Sequence, residues 1–224
     1  MSEMSFNIIG DIAGNYRTLV ALLAKMPKGV PISVGDMIDR GPRSKEVVEF
    51  FMKNGIAVMG NHEHLMIDSI INGNTFYGRG IWEYNGGVET KISYSEDGVM
   101  RVPEEHKKYL RDLPLSWAGP GFTVTHAPVY KDYTLQQSCY IGRGFLSGFQ
   151  FESQSLKSVL WNRGTPARKD ELGLQIYGHN SDIEIKYHAD DKGNYAICLD
   201  TSQARILTGM HFPSMEIFEQ EYIG

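Results

Sequence analysis

Cysteine is scarce in this sequence, which contains only Cys139 and Cys198 among its 224 residues, far apart and outside any CxxC pair. This scarcity argues against a disulfide framework and against a zinc site built from thiolates. No apolar run approaches the roughly 18 residues that a membrane-spanning helix needs. The first ten residues carry few apolar side chains and no basic cluster. We therefore expect no signal peptide, no membrane contact and a cytoplasmic location.

Positive charge is also in short supply, because 27 acidic residues outnumber 22 basic residues and give a formal net charge of −5. General binding to nucleic acid or to an anionic membrane requires a cationic field, so the composition argues against both, although a local basic site remains open. With 42% hydrophobic residues, the chain is long enough for one domain with a substantial core. We predict a single domain over residues 1–224, and the composition indicates no oligomeric state.

The first 70 residues alternate between short apolar runs and helical periodicity. Three apolar runs predict buried strands at residues 5–10, 31–34 and 56–59. Apolar residues recur at helical spacing in the segments that follow them, which are residues 15–26, 44–53 and 62–71. This order is typical of a parallel sheet with crossover helices. The N-terminal half is therefore predicted to be βαβαβ.

The remaining residues are predicted to be richer in strands. Residues 77–110 indicate helices and loops, with a break at Asn85-Gly86-Gly87. Further strands are predicted at residues 122–126, 174–179, 183–188, 195–200 and 204–209, with a hairpin turn at 190–194 and an edge strand at 215–222. The fold class is thus mixed α/β, with α+β character in the second half.

Polar side chains directly follow the first three predicted strands. Asp11 follows the first strand, Asp36 follows the second, and Asn61 and His62 follow the third. Right-handed βαβ connections place all these strand ends at one edge of the sheet, where open α/β folds carry their sites. We therefore expect these side chains to converge on one patch.

Two later strands end in His126 and His179, which adds imidazoles to the same pattern. Mixed oxygen and imidazole ligands favour Mn²⁺, Fe²⁺ or Zn²⁺ over Ca²⁺. Taken alone, a strand histidine is most often a core or surface residue, a Gly-Asp pair is most often a turn, and Asn61 could cap a helix. Five ligand-type residues after strand-like runs would require several independent coincidences. The joint pattern therefore favours a metal centre.

Five ordered motifs resemble those of the calcineurin-like metallophosphoesterase superfamily: GDIAGN (10–15), GDMIDRGPRS (35–44), GNHEH (60–64), THAP (125–128) and YGHN (177–180). The resemblance is greatest to the phosphoprotein phosphatases, in particular the bacteriophage lambda-type and bacterial serine/threonine phosphatases. It spans residues 10–201 and extends to WEYNGG (82–87), LWNRG (160–164) and CLDT (198–201). It implies a β-sandwich with flanking helices.

The resemblance also implies a role for each motif residue. Two divalent ions, Mn²⁺ in preference to Fe²⁺ or Zn²⁺, would be held by Asp11, Asp36, Asn61, His126 and His179. Arg40 and Arg163 would hold phosphate oxygens, and His62, oriented by Asp39, would protonate the leaving group. Outside this context Arg40 could be a surface ion-pair partner, and Asp39 could cap a helix beginning near Pro42.

Physical chemistry is consistent with these roles. Asp36 has two carboxylate oxygens and could bridge two cations, which together lower the pKa of a bridging water and make hydroxide available for direct attack on phosphorus. Planar guanidinium groups suit phosphoryl oxygens. A proton from His62 would help a poor leaving group to depart. Trp82, within WEYNGG, is expected to serve packing rather than catalysis.

The implied function is hydrolysis of phosphoserine or phosphothreonine in a phosphoprotein or phosphopeptide substrate. Symmetrical dinucleoside tetraphosphatases share GDxxDRGP and GNHE, so cleavage of dinucleoside tetraphosphates is an alternative. Those chains are usually longer, and the compact length of this chain favours the protein phosphatase. Nucleotide or RNA-end phosphatase activity and a non-catalytic phosphate-binding module are further alternatives.

Ala13 departs from the family motif GDxHG, in which an imidazole would bind the first metal. The first ion would keep only Asp11 and the shared Asp36, whereas the ligand set of the second ion is complete. We therefore expect weak occupancy of the first position and low turnover. An engineered replacement and a natural loss are both open, and the intact state of the other motifs favours the engineered replacement.

Overall fold

The computed structural model describes residues 4–71, 78–146 and 156–224. In chain order, the elements of the first half are β1 (Phe6–Ile9), α1 (Tyr16–Lys25), β2 (Val30–Ser33), α2 (Ser44–Asn54), β3 (Ile56–Ala57), α3 (Asn61–Met66), α4 (Gly78–Trp82), α5 (Val88–Ser93), β4 (Ser95–Glu96), β5 (Val99–Met100) and α6 (Glu104–Asp112). Those of the second half are β6 (Ser116–Gly119), β7 (Phe122–Thr125), α7 (Leu135–Leu146), β8 (Leu174–Tyr177), β9 (Lys186–Asp190), β10 (Gly193–Cys198), β11 (Ile206–Phe212) and β12 (Glu216–Glu221). Within the described ranges, no helix has the length and apolar character needed to cross a bilayer.

Two five-stranded sheets form the centre of the molecule. The first has the order β12-β11-β1-β2-β3, and its β1, β2 and β3 run parallel, while β11 and β12 are antiparallel to their neighbours. The second has the order β6-β7-β8-β10-β9, in which β7, β8 and β10 run parallel. Each sheet therefore contains a triplet of parallel strands whose carboxyl ends share one edge.

The sheets pack face to face because alternate residues of their strands are apolar. Phe6 and Ile8 of β1 are buried in the same cluster as Phe122 and Val124 of β7. The Phe6 and Phe122 rings meet edge to face with centroids 5.7 Å apart. Residues on inner faces of a sandwich pack in this way. The structure thus has the predicted β-sandwich.

The outer face of the first sheet is covered by helices. Ile9, the residue after Ile8, belongs to a second hydrophobic cluster, with Leu19 and Leu22 of α1 and Phe51 of α2. Successive strand side chains point to opposite faces, so β1 serves both cores. This burial on both faces explains why β1 is a continuous apolar run.

Most predicted elements are confirmed, including the βαβαβ half, the mixed α/β class and the edge strand β12. The hairpin turn is also confirmed, since β9 and β10 are joined by residues 191–192. The strand predicted at 183–188 begins only at Lys186. Strand β6 and helix α7 were not predicted. Glycine and alanine in SWAG, and the glycines and polar residues of α7, obscure the periodicity on which prediction depends.

Candidate metal centre and phosphoester site

Three polar side chains lie at one edge of the first sheet, just after its parallel strands β1, β2 and β3. Asp11 follows β1, Asp36 follows β2 and Asn61 begins α3 after β3. All three are almost fully buried, at 5% exposure each. The helix-cap interpretation of Asn61 is wrong, because the N-cap of α3 is Gly60.

The parallel triplet of the second sheet delivers three more side chains to the same edge. His126 follows β7, His179 lies two residues beyond β8, and Asp200 lies two residues beyond β10. His126 is fully buried, and its Nδ1 donates to the carbonyl oxygen of Val34 at 3.0 Å, which ties the second sheet to the first. Asp200 was not singled out from the sequence, although it is the last residue of the strand predicted at 195–200, as His126 and His179 are of theirs.

Asn61 and the two histidines form a closed cluster. The Oδ1 of Asn61 lies 2.8 Å from Nε2 of His126 and 2.9 Å from Nδ1 of His179. The Oδ1 of Asp36 lies 3.3 Å from the same His126 Nε2. The structure therefore brings together four of the residues predicted to bind metal.

This cluster has the donor chemistry of a cation site. Because Nδ1 of His126 donates to Val34, its Nε2 carries a lone pair in the neutral ring and faces the acceptor oxygen of Asn61. Burial lowers the pKa of both His126 and His179, so both rings are neutral near pH 7. Nε2 of His179 is buried without a hydrogen-bond partner among the described residues. A divalent cation would satisfy these facing acceptors.

The second half of the centre is built from carboxylates. Ligand atoms of Asp11, Asp36 and His126 all lie within 4.8 Å of one another, which makes them a possible metal-ligand group. The backbone N–H of His179 lies 3.2 Å from one oxygen of Asp11 and 3.3 Å from the other. Burial, followed by the charges of Asp200 and Asp36, raises the pKa of Asp11 well above its ordinary value. Carboxylates crowded in this way are stabilised by a bound cation.

Ala13 lies on this carboxylate side. Its backbone N–H donates to the carbonyl oxygen of Asp36 at 2.8 Å, and its backbone has a left-handed φ of 47°. The methyl group lines a cavity of about 490 Å³. The half of the centre that contains Ala13 therefore borders a cavity and is called the open half, whereas the half around Asn61 is linked by short side-chain contacts and is called the closed half.

His62 and Asp39 form a buried pair beside the metal-ligand group. Nδ1 of His62 lies 2.7 Å from Oδ2 of Asp39, and both residues are at most 3% exposed. Burial would lower the pKa of His62, but Asp36 and Asp39 outweigh it and raise the pKa above its ordinary value. The ring is therefore able to carry a proton near neutral pH.

The surroundings of Asp39 correct two expectations. Asp39 caps no helix, because α2 begins at Ser44 with Arg43 as its N-cap. Its carboxylate instead accepts hydrogen bonds from Nε1 of Trp82, at 3.0 Å to Oδ2, and from the hydroxyl of Thr90, at 2.6 Å to Oδ1. Trp82 thus does more than pack, since its indole N–H helps to fix the carboxylate that contacts His62.

The two arginines predicted to bind phosphate contact two different histidines of the site. Nη2 of Arg40 lies 3.0 Å from Nε2 of His62. Nη1 of Arg163 donates to the carbonyl oxygen of His179 at 3.2 Å. Both guanidiniums are exposed at the edge of the buried cluster, where an anionic ligand can reach them.

Glu63 was not singled out from the sequence, although it lies within the GNHE motif. It is fully buried, and its two oxygens accept four backbone N–H groups. Oε2 binds those of Asp36 and Gly60, and Oε1 binds those of Met37 and Ile38. Glu63 therefore fixes the loop after β2 to the loop after β3, and so positions Asp36 against Asn61.

The site loops contain an unusual concentration of left-handed backbone in residues other than glycine. Positive φ values occur at Ala13, Asp36, Asp39, Arg40 and His179. Such conformations cost roughly 1–3 kcal/mol each and persist where the surrounding structure enforces them, typically at functional sites.

With this geometry established, the chain belongs to the calcineurin-like phosphoesterase family, whose model matches residues 4–209. The resemblance stated from the motifs is confirmed. The fold and the possible metal-ligand group are those of a metal-dependent phosphoesterase.

Curated relatives include the asymmetrical bis(5'-nucleosyl)-tetraphosphatase PrpE of Bacillus subtilis, which is 27% identical over 95% of this chain and 93% of its own length. The symmetrical bis(5'-nucleosyl)-tetraphosphatase of Vibrio vulnificus is 33% identical, but the match covers 59% of this chain and 47% of that protein. The low coverage of the symmetrical enzyme agrees with the expectation that such chains are longer. The asymmetrical enzymes were not considered from the sequence, and this chain spans one of them almost completely.

Solved structures show the same fold. A crystal structure of a candidate diadenosine tetraphosphatase has a TM-score of 0.63 at 18% identity and covers 100% of this chain and 96% of its own. A serine/threonine phosphatase from Saccharomyces cerevisiae has a TM-score of 0.62 at 17% identity and covers 99% and 81% of the two chains. At these identities, the likeness shows the fold alone.

Proposed function

We propose that this protein hydrolyses a phosphoric anhydride bond in dinucleoside polyphosphates, with dinucleoside tetraphosphates as its substrate class. The observation that carries this proposal is the near full-length match to the Bacillus subtilis tetraphosphatase, over 95% of this chain. The protein phosphatases, by contrast, are matched at the level of fold. The alternative raised by the shared motifs thus replaces protein dephosphorylation as the leading function.

The proposed cofactor is a pair of divalent cations, with Mn²⁺ preferred and Fe²⁺ or Zn²⁺ as other options. Its ligands are Asp11, Asp36, Asn61, His126 and His179. When bound, the cations acidify a water molecule and neutralise charge on the phosphoryl group. Asp36 lies between the carboxylate half and the imidazole half of the centre, 3.3 Å from His126, and is the proposed shared ligand.

The remaining residues bind the phosphoryl group and assist the leaving group. Arg40 and Arg163 present exposed guanidiniums, whose planar donors suit phosphoryl oxygens and oppose the charge of the transition state. His62 donates a proton from Nε2 to the departing oxygen, while Asp39 holds its Nδ1. The buried donors around Asp39 keep the ring in one orientation.

A second candidate function is hydrolysis of phosphoserine or phosphothreonine in a phosphoprotein. The buried His62–Asp39 pair favours it, because a serine alkoxide is a poor leaving group that needs a proton donor. A nucleotide leaves through a phosphate oxygen, which needs such a donor less. No comparable contact among the described residues favours nucleic-acid binding.

A substrate panel separates these functions. The protein would be assayed with Mn²⁺ on diadenosine tetraphosphate, a phosphoserine peptide and p-nitrophenyl phosphate, with EDTA as the metal-free control. We expect kcat/KM for the dinucleotide to exceed that for the peptide by about tenfold or more, a difference equivalent to one charged hydrogen bond. Chromatography of the products distinguishes ATP with AMP from two ADP.

Two other outcomes of the substrate panel would change the assigned function. Preference for the phosphopeptide would establish the second candidate. If neither the unsubstituted chain nor Ala13→His hydrolyses any of the three compounds, the catalytic proposal fails and the phosphate-binding module takes its place.

A further inference from the structure

A cavity of about 490 Å³ extends from the open half of the site towards the ends of β11 and β12, which pair antiparallel in the first sheet. It is lined by Ala13 and Arg40 from the site loops and by Ser181, Arg205 and Tyr222 from the second half of the chain. Its volume lies within the range of small-molecule pockets. Space for part of a ligand therefore lies beside the loops that carry Ala13 and Arg40.

Two arginines line this space. Arg40 and Arg205 both line the cavity, and both are exposed. Neither takes part in any ion pair found in the described portion of the chain. In a chain with a net charge of −5, two unpaired guanidiniums in one cavity favour an anionic ligand.

Tyr222 adds a hydrogen-bond donor to the same wall. Its hydroxyl is buried without a hydrogen-bond partner among the described residues, an arrangement that a ligand acceptor would relieve. Its backbone N–H donates to the carbonyl oxygen of Arg205 at 2.9 Å, so the two residues are fixed side by side. Burial, followed by the charges of Asp200 and Asp11, raises the pKa of Tyr222, while Arg40 and Arg205 lower it. The protonated hydroxyl therefore lies within electrostatic reach of both the site carboxylates and the two guanidiniums.

We propose that this cavity is a second phosphate-binding subsite, which holds phosphates of a polyphosphate substrate other than the one attacked, with Arg205 and Tyr222 as its recognition residues. This inference rests on the proposed function and adds the side chains that select a polyphosphate over a monoester. A monoester has a single phosphate, whereas a polyphosphate chain brings further anionic groups that require cations and donors beyond the metal centre. Ala13 contributes through its small size, since a larger side chain would reduce the cavity.

The test compares Arg205→Ala, Arg205→Lys and Tyr222→Phe with Arg101→Ala, a matched control that removes an exposed arginine next to β5. Each full-length variant would be assayed with Mn²⁺ on diadenosine tetraphosphate and p-nitrophenyl phosphate. Calorimetry with inorganic tripolyphosphate and with orthophosphate, with and without Mn²⁺, measures binding independently of turnover. Thermal unfolding confirms that each variant is folded.

For Arg205→Ala, we expect the ratio of kcat/KM between the dinucleotide and p-nitrophenyl phosphate to fall about tenfold, and the tripolyphosphate Kd to rise by a similar factor. Tyr222→Phe should give a smaller shift in the same direction, Arg205→Lys should retain part of the binding, and Arg101→Ala should match the unsubstituted chain. An unchanged ratio together with unchanged tripolyphosphate binding overturns the subsite.

The proposed function and the subsite fail in different ways. If the unsubstituted chain does not cleave the dinucleotide but Arg205→Ala still weakens tripolyphosphate binding, the substrate assignment is wrong and the subsite stands. If the dinucleotide is cleaved equally well by the unsubstituted chain and by Arg205→Ala, the function stands and the subsite is wrong.

Discussion

The two halves of the candidate metal centre differ in how completely their side chains are held. Around Asn61, two imidazoles lie within 2.9 Å of one amide oxygen, and Val34 fixes the ring of His126. Around Asp11, carboxylates crowd together next to a cavity lined by the methyl group of Ala13. Both halves are almost fully buried, but the closed half is linked by short side-chain contacts, whereas the open half borders a cavity.

This difference indicates that the closed half forms without an imidazole at position 13. The closed half depends on strand ends, on Glu63 and on the contact between the two sheets, and none of these requires a side chain at position 13. The open half has Ala13 where the family motif has a histidine, and Ala13 lines a cavity. The contrast predicts that substitutions in the two halves have opposite consequences.

The largest expected effect is that of His62→Asn, which removes the proposed proton donor next to the closed half. We expect kcat to fall by roughly 10²–10⁴-fold for phenyl phosphate, a poor leaving group, and much less for p-nitrophenyl phosphate, because general acid catalysis matters most when departure is difficult. The matched control is His106→Asn, which changes a buried histidine that contacts the hydroxyl of Tyr94 at 2.9 Å. Equal losses on both substrates would contradict a role in leaving-group protonation.

Glu63→Gln tests whether the closed half depends on its buried carboxylate. The substitution places an amide N–H₂ opposite backbone N–H donors. We expect the free energy of unfolding to drop by about 2–3 kcal/mol, since a buried donor left without an acceptor costs roughly 1–3 kcal/mol. Urea denaturation measures the change. Glu104→Gln, on the exposed side of α6, is the control and should leave the urea midpoint unchanged; a midpoint for Glu63→Gln equal to that of the control would show that the four contacts do not stabilise the fold.

Ala13→His and Ala13→Gly have the smallest expected effects and address the open half directly. With an imidazole at this position, we expect Mn²⁺ affinity, measured by calorimetry, and p-nitrophenyl phosphate turnover each to rise about tenfold or more. Histidine is enriched among residues that tolerate positive φ, so the φ of 47° does not prevent it. Ala13→Gly should raise stability by about 1 kcal/mol through relief of left-handed strain, without any gain in metal affinity. If the two variants bind Mn²⁺ equally, the open half is not a metal position.

Much of the site could be predicted because its residues directly follow strands. Asp11, Asp36 and Asn61 each lie just beyond a short apolar run, and the shared edge of a parallel sheet brings such residues together. The two histidines of the second sheet show the same local pattern. Ordered motifs then indicated the family, which the match over residues 4–209 confirms.

Other contributors could not be predicted because their partners are distant in sequence. Trp82 and Thr90 lie 43 and 51 residues from Asp39, yet both donate to its carboxylate. Arg205 and Tyr222 face a cavity that exists only once β11 and β12 pair beside the site loops. The periodicity of the local sequence does not indicate contacts of this kind.

The sequence by itself determined the class of chemistry, the βαβαβ half, the set of side chains at the strand ends and the missing imidazole at Ala13. These follow from local patterns, since strand ends and glycine turns are encoded within a few residues. Only the tertiary structure decided that one half of the centre is closed and the other open, and that two unpaired arginines share the open side. The physical reason is that closure and charge pairing depend on contacts between the two sheets, which form only when residues far apart in the chain are packed together.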